Sequence, residues 1–82
     1  MLEKYDIITL GNGKNYTISE ILNLKDNKYL HLVEVDENED LLDETKSVKV
    51  VTDGKGTFGI EEIEDQHELL EVQELFLAML EQ

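Results

Sequence analysis

The chain lacks cysteine, arginine and any long apolar segment, and each absence removes a class of function. Without cysteine among its 82 residues, it can form no disulfide, no thiolate metal site and no thiol nucleophile. No basic segment followed by an apolar run opens the sequence, and no stretch approaches the roughly 18 apolar residues of a membrane-spanning helix. We therefore expect one small, soluble, cytoplasmic domain.

The charge of the chain is strongly negative and unevenly distributed. The net charge is −13, of which residues 34–44 contribute −7 and residues 56–82 contribute −8 without a single lysine. Proteins that bind nucleic acid use lysine and arginine to displace counterions from phosphates. We therefore expect no direct binding to nucleic acid or to an anionic membrane, whereas a basic protein partner is compatible with this charge.

Alternating apolar residues and turn signals predict a β-meander over most of the chain. Asn12-Gly13 tolerates the positive φ angles of a tight hairpin, and residues 25–28 form a second polar turn. The third strand is apolar on both faces, which is typical of the centre of a sheet. The predicted strands cover residues 5–10, 15–24, 28–35 and 45–52, with a fifth over 57–63 if the glycine-rich segment before it forms a hairpin.

The second predicted strand carries its apolar side chains at positions of one parity. Tyr16, Ile18, Leu22 and Leu24 share this parity, and Glu20 is the exception. Since side chains alternate between the two faces of a strand, these four residues are expected on one face of the sheet.

From residue 65 the apolar period becomes helical and predicts a helix over about residues 65–81. Asp65 and Glu68 form a D-x-x-E pair, in which each side chain can satisfy a backbone N–H near the other residue. The apolar arc of this helix spans about 220°. A helix that lies on one sheet needs an arc of only about 100° or somewhat more. Part of the helix is therefore expected to have a second partner.

The excess apolar residues of this helix lie at its edges. The residues expected against the sheet are Leu69, Val72, Phe76, Met79 and Leu80. Leu70 and Leu77, seven residues apart, then stack on one edge, and Leu75 lies on the opposite edge. An exposed apolar edge favours either docking on an unidentified protein partner or a weak homodimer through this helix.

The segment "DENED" begins like an EF-hand calcium loop but does not continue as one. Asp36, Asn38 and Asp40 occupy the first three ligand positions, but Leu41 stands where the loop needs glycine and Ser47 where it needs a bidentate glutamate. The sequence therefore favours a solvated acidic loop between two strands.

We predict that this acidic loop covers residues 36–44 and that it can contact a partner. The residues that we expect to bind a partner are Asp36, Glu37, Glu39, Asp40, Leu70 and Leu77.

The motifs associated with catalysis and cofactor binding are incomplete. The glycines of "GKGTFG", residues 54–59, match a dinucleotide-binding pattern, but the predicted helix begins only near residue 65 and not at the glycines. Neither serine, Ser19 nor Ser47, lies in a G-x-S-x-G elbow. The two histidines, His31 and His67, show no metal-ligand spacing. We expect no enzyme activity, no cofactor and no metal site.

Three stretches give the chain a resemblance to the YrzB-like family of small uncharacterised bacterial proteins. These stretches are "YDIITLGNGKNY", "KYLHLVEVDENED" and "IEEIEDQHELLEVQELFLAML". The resemblance covers nearly the whole chain and implies a cytoplasmic protein with strands followed by a helix. It implies no catalytic or binding residue, because the family has no established activity. The turn at residues 54–59 departs from the family pattern, so the resemblance leaves the number of strands at four or five.

The sequence therefore predicts an α+β fold, in which an antiparallel β-meander of four or five strands carries one C-terminal amphipathic helix packed on one face. The function that we expect is that of a small acidic, non-catalytic protein–protein interaction module. The alternative is a nucleic-acid mimic that occupies the basic site of a DNA- or RNA-binding protein.

Overall fold

The computed structural model describes residues 2–81, which form an antiparallel sheet and one helix. The strands are β1 (Ile7–Thr9), β2 (Asn15–Leu24), β3 (Asn27–Val35), β4 (Leu41–Thr52) and β5 (Phe58–Glu62), and the helix is α1 (Gln66–Leu80). The strand order in the sheet is the order in the sequence, so the predicted α+β meander is confirmed with five strands. Strand β3 lies at the centre, as its two apolar faces predict.

The first two hairpins turn through residues with positive φ. Gly13 has a φ of 81° in the turn between β1 and β2, where the side chain of Asn12 accepts a hydrogen bond from the Lys14 N–H. Lys25 and Asp26, with φ of 52° and 68°, form the two-residue connection between β2 and β3. Two consecutive residues with positive φ match the right-handed twist of the strands that they join.

A β-bulge at Ser19 divides β2 into two halves of opposite parity. The register of β2 against β3 shifts between Ile18 and Glu20, so Ser19 is an extra residue without a partner. Tyr16 and Ile18 therefore face one side of the sheet, and Leu22 and Leu24 face the other. The prediction that all four share one face is wrong, because alternation predicts a face only while the pairing is uninterrupted.

The core consists of two clusters on opposite faces of the sheet. On the face that α1 covers, here called the helix face, the buried residues are Tyr29, Ile63, Val72 and Phe76. On the far face they are Tyr16, Ile18, Leu30, Leu32 and Val48. No helix of residues 2–81 covers the far face, and the sheet instead curls so that its flanking apolar side chains close over this cluster.

Helix α1 is capped at its start by Asp65. One oxygen of the Asp65 carboxylate accepts hydrogen bonds from the N–H groups of His67 and Glu68, at 2.8 and 3.1 Å. These two bonds hold the pKa of Asp65 below its ordinary value, because they favour the ionised form. The other predicted bond, from a backbone N–H near Asp65 to the Glu68 side chain, does not form. The Glu68 side chain instead accepts hydrogen bonds from Tyr29 and Lys49 on the sheet.

The predicted acidic loop over residues 36–44 is too long. Only residues 36–40 connect the strands, and Leu41, which pairs with Val35, begins β4. A second register shift lies between Val33 and Val35, where three residues of β4, numbers 42–44, lie opposite a single residue of β3. A bulge of this kind accommodates extra residues without ending the strand. The acidic residues 43 and 44 can therefore lie within β4, although their composition suggested a loop.

Candidate functional site

The most exposed apolar residues of α1 lie together along one side of the helix. Leu70, Leu77 and Leu80 are 58 %, 59 % and 47 % exposed, and Gln73 lies between them on the same side. We call these four residues the leucine edge. The exposure that was expected for Leu70 and Leu77 agrees with the structure. The placement of Leu80 against the sheet is wrong, because the helix lies on Val72 and Phe76 and turns Leu80 towards its flank.

The leucine edge borders a groove between α1 and β4. The groove has a volume of about 230 Å³ and is lined by His31, Thr45, Lys46, Ser47, Gln73, Phe76, Leu77 and Leu80. Thr45 and Ser47 pair with Val33 and His31 of β3 and thus lie on the helix face. The groove therefore has one apolar wall of leucine and one wall of small polar side chains.

His31 forms the inner end of this groove and contacts both the sheet and the helix. Its ring lies 5.5 Å from the ring of Phe76, measured between centroids. Its Nδ1 lies 2.7 Å from the hydroxyl oxygen of Ser19, the residue of the β2 bulge. Burial lowers the pKa of His31, although the charge of Glu20 acts in the opposite direction.

The contact between Ser19 and His31 brings together two residue types that occur in catalytic triads. In a triad, a carboxylate also orients the second nitrogen of the imidazole ring. Among residues 2–81, His31 has no hydrogen bond to a carboxylate. The contact with Ser19 orients the His31 ring against Phe76. The carboxylate that would complete a triad is not bonded to this ring within residues 2–81.

A polar clasp ties the first turn of α1 to the sheet. The hydroxyl of Tyr29 donates a hydrogen bond to Oε2 of Glu68, and the ammonium of Lys49 lies 3.2 Å from the same oxygen. These two donors hold the pKa of Glu68 below its ordinary value. Burial and the bond to Glu68 raise the pKa of Tyr29 to about 12. The clasp fixes the position of the helix on the sheet, and therefore the direction in which its leucine edge points.

The acidic connection between β3 and β4 is held by the side chain of Asp36. One carboxylate oxygen of Asp36 accepts hydrogen bonds from the N–H groups of Asn38 and Asp40, at 2.8 and 3.0 Å. The backbone closes through bonds between Asp36 and both Glu39 and Asp40, while Glu39 adopts a φ of 64°. Asp36 therefore acts as the acceptor that shapes a turn, a common role for aspartate in connections of this kind.

The acidic residues do not form one continuous surface. Glu62 lies on the far face, because it pairs with Val48, and its carboxylate is 2.7 Å from the ammonium of Lys46. Glu71 lies on α1 and pairs with Lys25 at the β2–β3 connection, at 3.5 Å. The acid-rich block at the end of the chain is thus divided between the two sides of the sheet.

The residues predicted to bind a partner lie in two separate patches. Leu70 and Leu77 lie together on the leucine edge. Glu39 lies on the acidic turn and lines a different hollow with Tyr5, Ile7 and Leu41. The exposed acidic residues Glu37, Glu39 and Asp40 follow β3, beyond its end.

Two further classes of feature are absent from residues 2–81. No three histidine or carboxylate side chains converge to hold a metal ion. The helix of this part of the chain is too short and too polar to cross a membrane.

The fold and this surface define a class of small α+β domain, in which a five-stranded meander carries one helix with an exposed apolar edge. The chain belongs to the family described as protein of unknown function (DUF1292), whose model matches residues 10–81. This match agrees with the resemblance to a family of small uncharacterised proteins, while the name YrzB-like stays a prediction. No curated protein and no solved structure matches the chain.

Proposed function

We propose that the protein is a non-catalytic protein–protein interaction module whose contact surface is the leucine edge of α1. The single observation that supports this proposal is the exposure of Leu70, Leu77 and Leu80 along one side of a helix whose sheet-facing side buries Val72 and Phe76. Isolated exposed leucines are common on protein surfaces, whereas a group beside a groove is typical of a site that another molecule covers.

The energetic cost of this exposure is large for a domain of 82 residues. Full burial of a leucine side chain is worth about 1.5–3 kcal/mol, so three leucines that are roughly half exposed forgo about 2.5–5 kcal/mol. A domain of this size has a total stability of only about 4–12 kcal/mol. A partner that covers the edge would recover much of the forgone stabilisation on binding.

The charge of the chain narrows the class of partner. A net charge of −13 repels nucleic acid and anionic membranes, and it attracts basic proteins at long range. Mimicry of nucleic acid would require carboxylates along one surface. The placement of Glu62 on the far face, paired with Lys46, weighs against that alternative.

The proposal is tested by affinity capture with variants that alter only exposed residues. The tagged protein is compared with Leu70→Ser/Leu77→Ser and with the matched control Leu41→Ser/Leu42→Ser, whose leucines are also exposed but lie at the start of β4. We expect the first variant to lose its partner and the control to retain it. If both variants capture the same proteins as the wild type, the leucine edge is not the contact surface.

A further inference from the structure

Helix α1 covers only part of the face on which it lies. Strands β1 and β5 pair with opposite ends of the sheet, so at most four strands lie side by side at any level. Four strands at about 4.8 Å spacing are about 14 Å wide, whereas a helix with its side chains is about 10 Å in diameter. Helix α1 lies along the central strand and contacts β2 on one side and β4 on the other. Beside Leu77 and Leu80, β4 is the edge strand, and its residues Thr45 and Ser47 line an open groove that no second helix of residues 2–81 covers.

The space beside the leucine edge is also open outwards. Strand β5 pairs only with residues Val48–Thr52 of β4, so residues 45–47 have no further strand on their outer side within residues 2–81. Thr45 and Ser47 line the groove in this part of β4. Together these features form a trough with one apolar wall and a floor of small side chains, a shape that suits an elongated element.

Carboxylates lie along the border of this trough, and within residues 2–81 the lysines nearest to it are held in ion pairs. Glu74 lies one helical turn from both Leu70 and Leu77, and Glu81 lies one turn beyond Leu77. On the sheet, Glu61 pairs with Lys49 in the register of β4 and β5 and is therefore on the helix face.

The two lysines nearest to the trough are already paired. Lys46 lies 2.7 Å from a carboxylate oxygen of Glu62, and Lys49 lies 3.2 Å from one of Glu68. The border of the trough therefore carries a net negative charge.

We propose that the occupant of this trough is a basic amphipathic helix of a partner protein, lying beside α1 over β4. This inference rests on the proposed interaction function. The partner helix presents apolar residues at heptad spacing to Leu70 and Leu77, and lysines or arginines to Glu74 and Glu81. A second copy of α1 fits poorly, because Gln66–Leu80 contains no lysine or arginine and would place acidic residues against acidic residues.

The test uses a synthetic helical peptide of about 18 residues, with leucines along one side and lysines flanking them. A peptide of the same composition in scrambled order is the control, because it keeps the charge and loses the apolar stripe. Binding to the purified chain is measured by fluorescence anisotropy. We expect the ordered peptide to bind about tenfold more tightly than the scrambled one, the factor that loss of one or two anchor contacts commonly produces.

Two pairs of variants separate apolar contact from general charge attraction. Leu70→Ser/Leu77→Ser should lose about tenfold in affinity, while Leu41→Ser/Leu42→Ser stays within about twofold. The Glu74→Gln/Glu81→Gln variant should weaken binding and flatten its salt dependence. Glu37→Gln/Glu39→Gln, which removes the same charge from the acidic turn, should have the smaller effect.

Three results would overturn the inference. Equal binding of the ordered and scrambled peptides would show unspecific charge attraction. Equal effects of each double variant and its matched control would show the same. A wild-type dimer in sedimentation that Leu70→Ser/Leu77→Ser dissociates would identify a second copy as the occupant. Capture through the leucine edge of a partner without a basic helix would contradict this inference and leave the proposed function standing.

Discussion

Replacement of Tyr29 by phenylalanine removes one oxygen from the clasp that holds α1 on the sheet. The ring of Tyr29 is 2 % exposed and packs in the same cluster as Val72 and Phe76, so Tyr29→Phe keeps the packing and loses only the bond to Glu68. A hydrogen bond to a charged group contributes about 1.5–3 kcal/mol. Because Glu68 keeps Lys49 and is partly accessible to water, we expect a loss of about 1–2 kcal/mol in the free energy of unfolding.

The loss should depend on pH in a defined direction. The pKa of Glu68 is lowered in the folded state, so its contribution to stability is present above the ordinary glutamate value of 4.5 and is lost as the pH falls through the folded-state pKa. The difference between wild type and Tyr29→Phe should therefore be largest near neutral pH and should shrink in acid. Urea denaturation at a series of pH values measures it, as a lower midpoint with an unchanged slope.

Tyr16→Phe is the matched control for this measurement. Tyr16 is 4 % exposed on the far face, and its hydroxyl accepts a hydrogen bond from the neutral side chain of Asn12 at 3.1 Å. We expect a loss of about 0.5–1.5 kcal/mol, the range for a neutral hydrogen bond, without the acid dependence. If the two substitutions show the same loss and the same pH profile, Tyr29 and Glu68 do not form the clasp described above.

Three further predictions concern the core, the histidine and the acidic turn. Phe76→Ala should cost about 3–5 kcal/mol in thermal unfolding, because it empties a fully buried site, whereas Leu77→Ala beside it should cost only about 1 kcal/mol or less, because Leu77 is more than half exposed; similar losses would contradict the assigned helix faces. The pKa of His31 is lowered on folding, so the free energy of unfolding of the wild type should fall as the pH drops below the ordinary histidine value of 6.5. His31→Gln should flatten this part of the plot of unfolding free energy against pH, and an unchanged slope would refute the burial argument. Calorimetry should detect no calcium site tighter than about millimolar, and micromolar binding that disappears in Asp36→Ala would overturn the interpretation of the acidic turn.

The order of strands and helix could be predicted because it depends on local patterns. Hairpin signals at Gly13 and at Lys25-Asp26 mark the turns, and the change from a period of two to a helical period marks α1. The exposed positions of Leu70 and Leu77 followed from the same periodicity, since a sheet covers only one side of a helix. These features require no knowledge of distant contacts.

The bulge and the clasp could not be predicted because they depend on pairing between distant residues. Glu20 interrupts the apolar parity beside Ser19, but one charged residue does not show that a residue is extra, and the bulge reverses the faces of Leu22 and Leu24. The partners in the clasp, Tyr29 and Glu68, are 39 positions apart, so only the folded sheet brings them together. The capping pattern instead suggested that Glu68 would bond within its own helix turn.

The central claim is that the leucine edge of α1 contacts another protein. Site-specific photo-cross-linking tests it most directly, with a photoreactive residue in place of Leu77 and, as a control, in place of exposed Ala78, which points about 100° away on the same helix. In cells of the native host, the account predicts that position 77 cross-links to a second protein and that position 78 does so far less. Equal yields at the two positions, or no cross-link at position 77, would contradict the claim.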